Sequence, residues 1–228
     1  MVKRLLLFDI DGTLVRGGPA KKAFELAMET TFGTAGPIDE HDFSGKTDPQ
    51  IARELLRLAG FEDNAVDAGL GLLWSRYLKE LESRLAELPM TLLPGVRSLL
   101  DHLSARSDVA LGLLTGNIAE GARLKLDSVG LTEFFPIGGY GSDSEVREEL
   151  TPFALRRASS LWGRSFSPPS VVVVGDTPRD VSCGKHSGTR TVAVATGRYG
   201  VERLAEAGAD RVLENLDDLA QSVQALME

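Results

Sequence analysis

The chain has 228 residues, 43% of them hydrophobic and 25% charged, which fits one globular domain plus a smaller companion and disfavours a disordered chain or a fibre. A formal charge of -8, from 25 basic and 33 acidic residues, argues against a broad nucleic-acid-binding surface, which needs clustered Lys and Arg, but allows a local pocket for one phosphate group. Cys183 is the only cysteine, so there is no disulfide framework and no cysteine-based zinc cluster, and a reducing compartment is expected.

In chain order, the first apolar segment, Leu5 to Ile10, is short and aliphatic and reads as a strand buried on both faces. Its run Leu5 to Phe8 stops at Asp9 and Asp11, far short of a membrane span or a signal-peptide core, so a soluble, cytoplasmic protein with no membrane partner is expected. From Arg16 to Thr91 no comparable strand appears and the spacing predicts helices throughout: one stripe on Ala20, Ala23, Phe24, Ala27 and Met28, a second on Ile51, Leu55, Leu58 and Ala59, and a third from Val66 to Leu88. Beyond it, strands are expected at Val109 to Leu114, Val171 to Val174 and Val192 to Ala195, with a weaker edge strand at Arg211 to Leu213. Helical stripes fall between them, on Val96, Leu99, Leu100 and Leu103, on Ile118, Ala122, Leu126 and Val129, and on Leu155, Ala158, Leu161 and Trp162. The alternation predicts a layered α/β core, residues 1–15 and 92–228, with an inserted all-helical domain, residues 16–91. Gly17-Gly18-Pro19, Pro89 and Pro94-Gly95 at the junctions suit a hinge.

Ligands of α/β sheets bind outside the carboxyl ends of the strands. Those ends read Asp9-Ile10-Asp11-Gly12-Thr13, Thr115-Gly116-Asn117 and Gly175-Asp176-Thr177-Pro178-Arg179-Asp180. Two carboxylates two residues apart at a strand tip need compensation, and a hard divalent cation such as Mg²⁺ supplies it, with Asp176 completing the site. One aspartate can then attack phosphorus while another handles the proton. Thr115 offers a hydroxyl to a phosphoryl oxygen, and the amides around Gly116 and Asn117 add donors at a helix start.

These three motifs, with Leu14 and Leu114 beside them, resemble those of the haloacid dehalogenase superfamily over nearly the whole chain, in its phosphoglycolate phosphatase-like branch. The resemblance implies a Rossmann-like core with a helical cap and Mg²⁺-dependent phosphoryl transfer through an aspartyl-phosphate on a small phosphorylated metabolite. It implies Asp9 as nucleophile and metal ligand, Asp11 as acid and base with its carbonyl on the metal, Asp176 as the remaining protein ligand, and Asp180 as an outer partner. Asp11 disfavours the dehalogenase branch, and Thr13 leans toward phosphatases. A sugar phosphomutase, or a regulatory protein without turnover, is the alternative.

The family places a Lys, often followed by Pro, before the helix that precedes the last motif. This chain reads Glu145-Val146-Arg147-Glu148-Glu149-Leu150-Thr151-Pro152, so Arg147 is preferred as the cation facing phosphate and Asp9, with Lys125 as its rival. Gly45-Lys46-Thr47 is not a P-loop, since position 40 is Glu40; Lys46 instead suits a cap loop that meets an anionic substrate, or else Asp48 caps an ordinary helix ahead of Pro49. Gly69-Leu70-Gly71 lacks the third glycine of a dinucleotide fingerprint. His41, His102 and His186 read as surface or capping residues, and Cys183, Trp74 and Trp162 as packing residues.

Overall fold

The computed structural model describes residues 2–228. Its centre is β1 (Arg4–Phe8), whose side chains alternate between two cores as a pleated strand requires: Leu6 and Phe8 on one face, Leu5 and Leu7 on the other. All four are fully buried, each stabilising by roughly 1.5–3 kcal/mol.

A six-stranded parallel sheet spreads from it in the order β5-β4-β1-β6-β7-β8, with β4 at Val109–Thr115, β5 at Gly138–Tyr140, β6 at Val171–Gly175, β7 at Arg190–Val194 and β8 at Arg211–Leu213. Leu5 pairs with Ala110 on one side and Val171 on the other. The three strands that end in the polar motifs are therefore adjacent. The chain leaves β1 toward β4 and later returns to its other side as β6, so the crevice where strand order reverses opens at the tip of β1. The fold is the expected Rossmann-like α/β arrangement. Helices α4 (Val96–Ser104) and α9 (Leu219–Met227) pack against one another in the core that holds Leu6 and Phe8, α5 (Ala119–Asp127) adds Ala122 and Leu126 to that core, and α6 (Leu150–Trp162) and α7 (Pro178–His186) enter the other core through Ala154, Ala158 and Cys183. A short α8 (Val201–Glu206) packs near the β8 edge through Leu204. No helix among the described residues is long and apolar enough to cross a membrane.

Between β1 and β4 lie α1 (Ala20–Phe32), α2 (Asp48–Leu58) and α3 (Asp63–Leu85), and a two-stranded ribbon closes their base, where β2 (Val15–Arg16) pairs antiparallel with β3 (Thr91–Leu92). The helices bury Phe24 and Met28 of α1, Leu55 of α2, and Leu73, Tyr77 and Leu81 of α3. Several expectations need correction. The segment is not helical throughout: residues 33–47 form a loop after Gly33 ends α1. On α2, the buried positions are Ile51, Ala52, Leu55 and Leu56, while Leu58 is exposed and Ala59 lies beyond the helix; Leu88 likewise follows α3 and is exposed. The N-cap of α2 is Thr47, which accepts a hydrogen bond from Gln50 N, with Asp48 and Pro49 opening the helix. On α6, Leu161 is exposed, and Leu150, Thr151, Ala154 and Ala158 carry the buried face.

Candidate active site

The tips of β1, β4 and β6 open into a cavity of about 510 Å³ lined by Asp9, Asp11, Thr115, Arg147 and Asp176 among others. Gly116, Asn117, Lys46 and Lys125 also border it, so every residue expected at the site lines this cavity except Asp180, which lies behind it.

Asp9 extends β1 by one ladder bond, from its N–H to the Val174 carbonyl at 2.8 Å, which fixes its side chain at the strand tip. Gly12 then turns the chain with φ of 86°, and a Cβ there would strike the Asp176 carboxylate. The carboxylates of Asp9, Asp176 and Asp180 each place an oxygen within 4.8 Å of the others, and all three residues are buried.

The charges around this cluster do not balance. Arg147, only 4% exposed, places Nη2 at 3.0 Å from Asp9 Oδ1 and 2.5 Å from Asp180 Oδ1. Burial opposes the charge on Arg147, but Asp180 and Asp9 outweigh it and raise the guanidinium pKa further. Asp176 has no cation beside it among the described residues, only the Thr13 hydroxyl donating at 3.2 Å. Burial, and then Asp180 and Asp9, push the Asp176 carboxyl well above the ordinary range; burial also raises Asp9, in spite of Arg147. A hard divalent cation fits this oxygen set, because it would supply the charge that one guanidinium leaves uncompensated.

Arg147 starts a single helical turn ahead of α6, with its carbonyl held by Cys183 Sγ at 3.2 Å, so the lone cysteine packs behind the cation. Asp180 closes a capping box with Thr177 at the start of α7: its Oδ2 accepts from the Thr177 N–H and hydroxyl while Oδ1 meets Arg147.

Asp11 turns away from the cluster. Its Oδ2 lies 2.7 Å from Lys125 Nζ and 2.8 Å from Asn117 Nδ2. Burial acts to raise the Asp11 pKa, yet Lys125 and Asn117 hold it below the usual carboxylate value. Thr115 Oγ1 accepts from both the backbone N–H and the side-chain amide of Asn117, which leaves its own proton for a ligand. Two of the amides at the start of α5 are already used: Ile118 N–H donates to Asp48 Oδ2 at 2.9 Å and Ala119 N–H to Ser142 Oγ at 3.2 Å.

The loop before α2 docks on this machinery. Asp48 N–H donates to the Gly116 carbonyl at 2.7 Å, the Thr47 hydroxyl to the Glu145 carbonyl at 2.7 Å, and a Cβ on Gly116 would overlap the Lys46 carbonyl. Lys46 enters the cavity beside His41, and both reach Glu54 Oε2, at 2.5 Å and 3.0 Å. His41 is therefore not a surface residue, in contrast to the exposed His102 and His186. Neither His41 nor Glu54 stands in a motif, and an isolated His or Glu gives no sequence signal of a cavity wall.

Burial between α2 and α5 pushes the Asp48 carboxyl up to about 6, against the pull of Lys125 and of the Ile118 N–H. A carboxyl whose pKa rises on folding favours the folded state while protonated and loses that contribution as pH climbs through the folded value. Asp48→Asn keeps an acceptor for Ile118 without the charge. Its stability, followed by thermal melting, should match the wild type near pH 4 and exceed it increasingly up to pH 7, by at most about 3 kcal/mol. A gap that is constant with pH, or shrinks as pH rises, contradicts this account.

The haloacid dehalogenase-like hydrolase family model matches residues 6–194. The phosphoglycolate phosphatase of Synechococcus elongatus is 33% identical over 97% of this chain and 98% of its own. A hydrolase from Pseudomonas syringae superposes with a TM-score of 0.73 at 21% identity, over 99% of this chain and all of that one. A putative beta-phosphoglucomutase from Thermotoga maritima gives 0.64 at 19% identity, over 98% and 100% of the two chains. At those identities the two solved structures speak for the fold alone. Together with the three strand-tip motifs around one cavity, the family match and the full-length relative establish that this chain belongs to the haloacid dehalogenase-like hydrolase family.

Proposed function

We propose that the protein is a Mg²⁺-dependent phosphatase that hydrolyses a small phosphorylated metabolite, a phosphoglycolate-like phosphomonoester, through an aspartyl-phosphate on Asp9. The observation that carries this reading is the buried cluster of Asp9, Asp176 and Asp180 with a single cation, Arg147, set against Asp9. Mg²⁺ held by the carboxylates of Asp9 and Asp176 and by the backbone carbonyl of Asp11 supplies the positive charge that lets a phosphate dianion approach an aspartate.

The chain's own groups divide the remaining work. An oxygen of Asp9 attacks phosphorus, the bond from phosphorus to the leaving oxygen breaks, and Asp11, in the protonated form that Lys125 and Asn117 disfavour in the free protein, gives that oxygen its proton. Water then attacks phosphorus, Asp11 takes the proton back, and the bond to Asp9 breaks to release inorganic phosphate. Thr115 donates its hydroxyl to a phosphoryl oxygen, the Gly116 and Asn117 segment borders the same oxygens, and Arg147 offsets the charge on Asp9. Asp180 orients Arg147 from behind. Lys46, on the docked loop, meets the leaving group.

In this reading residues 16–91 form the cap, residues 1–15 and 92–228 form the core, and the β2–β3 ribbon joins them. The Asp48–Ile118 hydrogen bond is a further link between the two, and the melting experiment above measures the cost of the charge buried at it.

The test is release of phosphate from 2-phosphoglycolate and p-nitrophenyl phosphate with Mg²⁺ and with excess EDTA. Turnover that depends on Mg²⁺, is lost in EDTA and returns on adding the ion supports the proposal. Equal turnover in EDTA, or none under any condition, overturns it.

A further inference from the structure

The cavity holds two buried cations, and each faces a different aspartate. Arg147 meets Asp9, while Lys125 places Nζ at 2.7 Å from Asp11 Oδ2. Lys125 is 4% exposed, in the last turn of α5. Enclosing an ammonium is unfavourable unless a partner compensates it, so Asp11, the only carboxylate at ion-pair distance from it among the described residues, accounts for the position.

The hydrogen bonds on Asp11 are one-sided. Lys125 Nζ and Asn117 Nδ2 both donate to Oδ2, whereas Oδ1 accepts no hydrogen bond from the described residues. One oxygen is anchored and the other is left to the reactants in the cavity that Asp11 lines. The helix carrying Lys125 is itself gripped by the segment that precedes it in the chain: Asp48 holds Ile118 N–H, and a Cβ on Gly121 would lie 3.5 Å from the Tyr77 ring. The anchor on Asp11 is therefore set when the loop and α3 are seated on α5.

We propose that Lys125 is a positioning residue for the second half-reaction: by pinning Asp11 Oδ2 it aims Oδ1 at the water that hydrolyses phosphorylated Asp9. The inference rests on the reading above, in which Asp9 is the nucleophile and Asp11 the proton carrier. In the step concerned, the water oxygen bonds to phosphorus, its proton passes to Asp11 Oδ1, and the bond from phosphorus to Asp9 breaks with its electron pair returning to the carboxylate. Arg147 serves the nucleophile and Lys125 the base, so removing each cation has a different kinetic signature.

p-Nitrophenyl phosphate separates the two steps, because its leaving group departs without a proton and formation of the phosphoenzyme then makes little use of Asp11. With Mg²⁺ present, Lys125→Met should lower kcat about 30-fold or more while kcat/KM falls less than about threefold, so that KM drops with kcat. Rapid mixing should show a burst of p-nitrophenolate approaching one equivalent per enzyme and larger than in the wild type. Lys125→Arg, which keeps a charged donor, should recover part of kcat and shrink the burst. If Lys125→Met does not fold, Lys125→Gln, which retains an N–H toward Asp11, is read in the same way. Equal losses in kcat and kcat/KM without a burst would assign Lys125 to phosphate binding or to the fold and overturn the inference, as would wild-type kinetics in the variant. A wild-type enzyme with no metal-dependent turnover would instead remove the reading on which the inference rests.

Discussion

Asp9→Asn should eliminate phosphate release, by about three orders of magnitude or more, while the protein remains folded. Asn is nearly isosteric, and the Asp9 N–H keeps its bond to the Val174 carbonyl, so the strand tip is preserved. What is lost is the attacking oxygen. Arg147 already approaches Oδ1 at 3.0 Å, and Asp9 is the buried carboxylate shared between that cation and the Asp176 cluster. Steady-state phosphate release, with circular dichroism to verify the fold, measures the effect. Turnover within tenfold of the wild type would remove Asp9 from the reaction.

Arg147→Met should be the most destabilising single change at the site. It leaves the buried carboxylates of Asp9 and Asp180 without the guanidinium that neutralises both, a loss of about 3–5 kcal/mol for a buried pair broken on one side. For a chain of this length that corresponds to a fall in Tm of about 6–20 °C, read by thermal melting at neutral pH in EDTA. Added Mg²⁺ should recover part of the loss by supplying charge to the same oxygens. Turnover should fall about a hundredfold or more even where the variant is folded, because Asp9 then faces phosphate with no cation behind it. Arg147→Lys, which keeps the charge but as a compact, strongly hydrated ammonium where Arg147 brings Nη2 to both carboxylates, should lie between. A Tm within about 2 °C of the wild type would show that Arg147 does not hold the cluster together.

The core was legible because three aliphatic runs stop at three polar motifs, and burial on both faces of a parallel strand leaves little ambiguity in such a run. Strand order then brings Asp9, Thr115 and Asp176 to one edge of the sheet. β5 escaped notice because Gly138-Gly139-Tyr140 has no aliphatic run; its glycines admit close neighbours, among them the Leu150 carbonyl against Gly139. The ribbon of Val15–Arg16 with Thr91–Leu92 is too short for any periodicity to register.

Side-chain partners were harder to read than elements. Arg147 could be preferred from its place before α6, but Lys125 sits at a helix position where most lysines are solvated, and only the packing of α3 and α5 encloses it. Asp48 could be expected as a local cap; instead Thr47 caps α2, and Asp48 reaches across to the first amide of α5. His41 and Glu54 meet Lys46 through a loop whose path is set by docking on Gly116 and Glu145, a tertiary contact with no local signature. Periodicity finds a helix and its approximate face, but it misplaced Leu58 and Leu161, because the last turns of α2 and α6 drift off the buried stripe, and Leu88, which lies beyond the end of α3.

In the proposed reaction phosphate passes through Asp9. Acid quenching during turnover of 2-phosphoglycolate with Mg²⁺, followed by proteolysis and mass spectrometry, traps the covalent intermediate for assignment to a residue. A phosphoryl group is expected on the peptide bearing Asp9, on that side chain, and none in Asp9→Asn. Metal-dependent turnover with the phosphoryl group on another residue, or with the same labelling persisting in Asp9→Asn, would contradict it.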